Sequence, residues 1–257
     1  MMRKVVQSIL RSPRKLAVAA RFISPDAGPV EQTIIYKAAH LIASEKIEGD
    51  YLEFGVYSGD SFIYAYHVIK SAFDPEQKPN GPERSDEDAI KIKRVWEKMR
   101  FFAFDSFAGL PEPVGIDRRS HDFVKGKYSC PEEIFRLKIK SAAVPESKVV
   151  SVAGLFDETC GPETITKYSM KKAAIIHVDC DLYASARTAL EFVQPLLTDG
   201  TIIIFDDWYC FRGNPNLGEQ KAFNEWKAML SDWSFTEYQK EGPWSNSFIA
   251  TRCNFDL

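Results

Sequence analysis

No stretch of this sequence approaches the ~20 consecutive apolar residues that a membrane-spanning helix needs, so an integral membrane span is not expected. Cysteine is sparse. Cys130, Cys160, Cys180, Cys210 and Cys253 stand apart, with no CxxC or CxxH spacing. An odd, scattered set fits a reducing compartment better than a disulfide framework, and a cytoplasmic location is expected. An excess of positive charge is also missing. The net charge of −3 leaves no electrostatic footprint for nucleic acid. There is no GxGxxG fingerprint and no P-loop, which would need Gly-Lys-Ser/Thr. Internal repeats and low-complexity tracts are absent. The N-terminus carries Arg3, Lys4, Arg11, Arg14 and Lys15, but its apolar runs are too short for a signal-peptide core, so no signal peptide is expected.

What is present is enough for one large domain. The chain has 257 residues, 45% of them apolar, and can build a substantial core. Residues 1–29 read as a basic helical extension ahead of a domain at 30–257. Met2 to Phe22 has the character of a basic amphipathic helix. It is read as packing on the domain or on a second subunit, which would make a homo-oligomer, with membrane-surface contact as the other possibility. Phe73 to Asp88 is polar and charged and reads as a solvated insert.

Two runs organise the rest. Ile175-Ile176-His177-Val178 leads into Asp179-Cys-Asp181-Leu-Tyr183, and Ile202-Ile203-Ile204-Phe205 leads into Asp206-Asp207. Such runs read as strands buried on both faces of a parallel sheet. The acids then lie at strand carboxyl ends, where open α/β sheets bind ligands. Carboxylates converging there repel one another unless a cation sits between them, and a divalent metal with oxygen ligands is the simplest answer. A helix from Ala184 to Leu197, ended by Gly200 as a C-terminal cap, links the two runs as a βαβ unit. Asp179 and Asp206 should therefore end adjacent or near-adjacent parallel strands.

Upstream, Tyr51 to Phe54 reads as the first core strand. Gly55 and Gly59 allow a tight turn, and a helix follows from Ser61 to Ser71. Strand, glycine turn and helix N-terminus together suit a charged or nucleotide-like ligand. Glu53, an acid inside a buried run, needs a partner. Phe101 to Phe104 is the second strand and ends at Asp105, where dinucleotide folds hold ribose hydroxyls. The third strand is Val149 to Val152. Phe235 to Tyr238 and Ser247 to Ala250 flank Gly242-Pro243 as a closing hairpin. Pro111 to Cys130, with His121 and Tyr128, is a candidate lid. Asp181 is read as capping the helix that follows it. His177 is read as core packing, and Tyr183 as a wall of the site.

Five segments in this order, Glu53-Phe-Gly55-Val-Tyr-Ser-Gly59, Phe104-Asp105-Ser-Phe-Ala-Gly109-Leu-Pro111, Gly154-Leu-Phe156, Asp179-Cys-Asp181-Leu-Tyr183 and Asp206-Asp207, resemble the macrocin O-methyltransferase family. The resemblance runs from about Val30 to Thr251. It implies a Rossmann-like class I methyltransferase fold: a seven-stranded, mostly parallel sheet with helices on both faces and a terminal β-hairpin. It implies S-adenosylmethionine as methyl donor, with Glu53, Gly55, Val56, Tyr57, Ser58, Gly59, Ser61, Asp105, Ser106 and Phe156 around it. Asp105 would accept hydrogen bonds from the ribose hydroxyls. Asp179, Asp206 and Asp207 would hold Mg²⁺, which would bind two neighbouring hydroxyls of a sugar or other vicinal diol. Departures fall at Ala184-Ser185-Ala186, where the family usually has a polar residue then Ser-Thr, and in the sequence after Asp207.

The expected reaction is O-methylation, with Asp179 as combined ligand and base. Two other readings are carried forward: a metal-dependent hydrolase using the Asp179, Asp206 and Asp207 cluster, and a non-catalytic S-adenosylmethionine-binding protein. A hydrolase has no need of a nucleotide turn on the first two strands. Idle clustered carboxylates would cost a scaffold stability.

Overall fold

A computed structural model of the chain describes residues 30–74, 85–119 and 122–253. The expected N-terminal extension, most of the insert after Phe73, and His121 lie outside the described residues.

Seven strands form one sheet in the order β3-β2-β1-β4-β5-β7-β6. They are β1 (Asp50–Phe54), β2 (Phe101–Asp105), β3 (Val149–Ala153), β4 (Ala173–Val178), β5 (Leu197–Phe205), β6 (Trp233–Glu241) and β7 (Ser245–Arg252). The pairs from β3 through β5 are parallel, and β7 runs antiparallel to both of its neighbours. This is the α/β sheet with a terminal hairpin that the sequence leads one to expect. The chain starts in the middle at β1, steps outward to β3, then returns to β4 on the other side of β1. Between β1 and β4 the winding reverses, which opens a crevice at the strand carboxyl ends.

The central strands read as unbroken apolar runs because both faces are covered. Every residue of β1, β2 and β4 is buried. Alternate residues enter two cores. Tyr51, Phe101, Ile175 and Ile202 pack beneath α1 (Ile34–Ser44), α2 (Asp60–Ala72) and α3 (Asp86–Lys98). Leu52, Phe104, Ile176 and Ile203 face α7 (Tyr183–Val193) and α8 (Gly218–Ala228). The remaining helices are α4 (Glu132–Ser141), α5 (Phe156–Thr159) and α6 (Pro162–Tyr168). At the far end of the sheet from the crevice, Arg100 holds Asp50 by Nη2 to Oδ2 at 2.6 Å and by its backbone N to Oδ1 at 2.9 Å.

Two expectations are corrected. The helix after Tyr183 stops at Val193, becomes a 3₁₀ turn over Gln194–Leu196, and passes directly into β5. Pro195 cannot donate the hydrogen bond that would continue the α-helix. Gly200 therefore lies within β5 and is not a cap. Its φ is +86°, and a Cβ there would come within 2.5 Å of the Ile47 side chain. The second correction concerns Asp181, which does not cap α7. The N–H groups of Tyr183 and Ala184 donate instead to Asp117 Oδ1 and Oδ2, at 2.8 and 3.1 Å.

Candidate active site

Strand β1 delivers the chain to the glycine turn. The first turn residue, Gly55, sits at φ +89°, and a Cβ there would fall 1.8 Å from the Asp179 carbonyl oxygen. No other residue type fits so close an approach. Gly59 (φ +87°) starts α2, and a Cβ there would meet the Phe135 ring at 2.7 Å. Between them Tyr57 takes a left-handed φ of 44°. Asp105 holds the turn in this shape. Its Oδ2 accepts from the N–H groups of Val56 (2.8 Å) and Tyr57 (2.9 Å), and its Oδ1 accepts from Phe107 N–H at 2.7 Å. Burial raises the Asp105 pKa, and these three donors oppose the rise.

Two cavities of about 480 Å³ each open at this end of the sheet. The first is lined by Gly55, Tyr57, Asp105, Ser106 and Phe156 together with Asp179, Asp181, Asp206 and Asp207. The second lies toward α1 and the β6–β7 turn and takes in Val56, Ser58 and Ser61. The two share Tyr57, Asp179 and Asp206. Gly59 lines neither cavity. Neither does Glu53, which is fully buried.

Glu53 was expected to face the cofactor. Both of its carboxylate oxygens already have partners within the protein: Tyr51 Oη donates to Oε2, and Ser61 Oγ donates to Oε1 at 2.5 Å. His177 Nδ1 lies 3.6 Å from Glu53 Oε2, and His177, expected to pack in the core, is buried but also lines the second cavity. Its pKa is raised: burial lowers it, but the hydrogen bond and charge of Glu53 outweigh burial.

The acids gather as the parallel ladder runs out. Asp179 N–H donates to Phe54 O (2.9 Å) and Asp206 N–H to Val178 O (3.0 Å), so β1, β4 and β5 bring both to one level. Burial raises Asp179 well above the usual carboxylate range, and the charges of Asp206, Asp207 and Asp181 add to it. Asp181 is pushed up to about 9, first by burial and then by the charge of Asp207 and a hydrogen bond with it. Asp207 is raised by burial and by Asp206. Its Oδ1 accepts from Cys210 Sγ at 3.0 Å, and Asp206 Oδ1 accepts from Ser245 Oγ at 3.0 Å.

Glu219 supports this loop from below and was not singled out in the sequence, because an acid in the first turn of a helix is ordinary. It is buried, its Oε2 accepts from Asp207 N–H at 3.0 Å, and its Oε1 has no hydrogen-bond partner.

The donor chemistry of Asp179, Asp206 and Asp207 suits a hard divalent cation: carboxylate oxygens only, with the charge of Asp206 opposing the ionisation of Asp179 and Asp207. Among the described residues, no three or more such side chains already converge as a ready ligand set.

The sequence model of the macrocin-O-methyltransferase (TylF) family matches residues 88–229. The chain belongs to the macrocin O-methyltransferase family. The matched segment is narrower than the resemblance described above. It carries Asp105, Phe156 and the acid cluster, and leaves out the glycine turn.

A curated relative from Streptomyces olivaceus is named as an 8-demethyl-8-(2,3-dimethoxy-α-L-rhamnosyl)-tetracenomycin-C 4′-O-methyltransferase. It is 29% identical over 174 residues, covering 65% of this chain and 56% of that relative's length. Among solved structures, the O-methyltransferase NovP aligns with a TM-score of 0.62 and 17% identity over 85% of this chain and 78% of its own. A calicheamicin methyltransferase aligns at 0.59 and 20% over 99% and 92%. An O-methyltransferase from Bacillus cereus, solved in complex with SAH, aligns at 0.53 and 16% over 95% and 90%. At these identities the structures establish the macrocin O-methyltransferase family chain as sharing their α/β fold.

Proposed function

We propose that this chain is a Mg²⁺-dependent O-methyltransferase. On this reading it moves a methyl group from S-adenosylmethionine to a hydroxyl of a sugar or other vicinal diol in natural-product or glycan biosynthesis. The observation that carries the reading is the single cleft in which the glycine turn and Asp105 face Asp179, Asp206 and Asp207. A nucleotide-shaped turn and an acid cluster in one cavity suit group transfer, and a hydrolase has no use for the former. The Streptomyces olivaceus relative, a methyltransferase of a rhamnosyl-bearing compound by name, supports a sugar as acceptor.

S-adenosylmethionine, when bound, supplies an electrophilic methyl group on sulfur. Asp105 and Ser106 would receive its ribose end, and Gly55 and Tyr57 the end nearer the acids. Asp179, Asp206 and Asp207 would hold Mg²⁺, whose charge offsets their repulsion and lowers the pKa of a neighbouring hydroxyl. Asp179 would accept the hydroxyl proton as the acceptor oxygen bonds to the methyl carbon and the carbon–sulfur bond breaks. The turn and the strand ends set the reacting atoms in line, and such positioning can be worth ~7–11 kcal/mol.

The test is Asp179→Asn. Methyl transfer should fall by ~10²–10⁴-fold, the range for a general base. Binding of S-adenosylhomocysteine, titrated calorimetrically, should stay within a few-fold. A variant that keeps most of its rate removes Asp179 from this role. A wild-type protein that binds neither S-adenosylmethionine nor S-adenosylhomocysteine removes the methyltransferase reading itself.

A further inference from the structure

We infer that Glu219 is a positioning residue for the cation site: it holds the backbone of Asp207 so that this carboxylate joins Asp179 and Asp206 on the metal. This rests on the Mg²⁺ reading of the acid cluster. The sheet itself places two of the three acids. The N–H groups of Asp179 and Asp206 still donate to neighbouring strands, at 2.9 and 3.0 Å. Asp207 lies beyond that ladder, and its N–H donates instead to Glu219 Oε2 at 3.0 Å.

That bond is the one hydrogen bond of the Glu219 side chain. Its Oε1 has no partner, and the residue lines neither cavity. Only 1% of it is exposed, so it works from behind the site and not as a ligand within it. A carboxylate kept from water with one oxygen unpaired is costly. An apolar residue would avoid that cost but would leave the Asp207 N–H without its acceptor.

The junction between the acid loop and α8 is built to keep Glu219 in reach. Gly218 takes φ +53°, and a Cβ there would come 2.8 Å from the Phe211 ring, so the helix start and the loop pack in direct contact. Gln220, also buried, donates from Nε2 to Trp208 O at 2.6 Å. Glu219 and Gln220 thus grip consecutive residues of the loop. Inside the loop, Cys210 N–H donates to Asp207 O and its thiol to Asp207 Oδ1, both at 3.0 Å. With the Asp207 backbone held from α8, the thiol sets the direction of the carboxylate. Mg²⁺ demands near-ideal octahedral geometry, so freeing that backbone is felt as lost affinity for the ion.

The experiment titrates Mn²⁺, which suits the same carboxylate ligands as Mg²⁺, into the whole chain. Free Mn²⁺ is followed by electron paramagnetic resonance. Glu219→Met keeps much of the side chain's bulk and removes the acceptor. It should weaken Mn²⁺ ten-fold or more, while the S-adenosylhomocysteine dissociation constant stays within two-fold. Should Glu219→Met not fold, Glu219→Ala lacks the acceptor too and carries the same expectation. Glu219→Gln keeps an acceptor for the Asp207 N–H and should bind Mn²⁺ at least five-fold more tightly than Glu219→Met. Wild-type Mn²⁺ affinity without the acceptor overturns the inference and leaves the metal site standing. A Glu219→Gln variant as weak as Glu219→Met also overturns it, because charge and not the hydrogen bond would then be what Glu219 supplies. A wild type that binds no Mn²⁺ overturns both the inference and the metal reading, and its titration with S-adenosylhomocysteine shows whether the cofactor reading survives.

Discussion

Asp105 holds three backbone N–H groups while facing the cleft, so one side chain ties the end of β2 to the turn after β1. Removing it leaves Val56 and Tyr57 donors without an acceptor, and Tyr57 is already in a left-handed conformation that favours glycine. Asp105→Ala should therefore cost ~1–3 kcal/mol of stability, the range for a buried donor left unpaired. It should also weaken S-adenosylhomocysteine ten-fold or more. Denaturant unfolding and calorimetric titration read the two effects separately. An S-adenosylhomocysteine affinity within two-fold of wild type would confine Asp105 to a structural role. The position of Asp105 was legible, because an acid directly after a buried apolar run marks a strand's exit. The surroundings of Glu53 were not. The alternation of β1 puts Tyr51 and Glu53 on one face, but nothing in the sequence says that Tyr51 and Ser61 use up its oxygens.

At the scale of elements, α7 is the helix that follows the acid loop, and its start depends on a residue far upstream. Asp117 lies in the 3₁₀ turn Gly115–Arg119, in the segment expected to form a lid, and is buried against the first two N–H groups of α7. No local capping signal could reveal this, since Leu182 at the cap position has no side-chain acceptor. Removing a carboxylate cap by Asp117→Ala should cost ~1 kcal/mol. The pH dependence carries its own sign. Burial raises the Asp117 pKa above its ordinary value, and the N–H groups of Ala184 and Tyr183 only partly oppose this. A raised folded-state pKa gives stability that is fully present below the unfolded value, near pH ~4, and lost as pH rises through the folded value. Asp117→Asn does not titrate, so the wild type should lose stability relative to it as pH climbs from ~4. Urea unfolding of both proteins across that range measures the difference. A wild type that gains on Asp117→Asn with rising pH would contradict the burial of an ionisable Asp117.

At the scale of the whole molecule, the strand order explains why distant motifs become one site. The chain places β1 beside β4 and β4 beside β5, so the glycine turn and two acid loops meet at the crevice where the winding reverses. The buried apolar runs made these strands legible. The second cavity was not, because its walls come from α1 and the β6–β7 turn, far apart in sequence and without a shared motif. Collecting Asp179, Asp181, Asp206, Asp207 and the buried Glu219 in one place stores charge repulsion that a cation would relieve. A ligand that binds only the folded state at 100 times its dissociation constant stabilises by ~2.7 kcal/mol. For a chain of this size that is a rise in Tm of about 5–10 °C. Thermal unfolding in saturating Mg²⁺ against chelator should show a rise of that order. The double variant Asp206→Asn, Asp207→Asn should lose the rise, yet melt no lower than the wild type in chelator, because the repulsion is gone. That pairing distinguishes a metal site from a structural acid cluster. Equal rises in both proteins would mean that Mg²⁺ acts elsewhere. A wild type indifferent to Mg²⁺ would leave Asp179, Asp206 and Asp207 without a metal to hold.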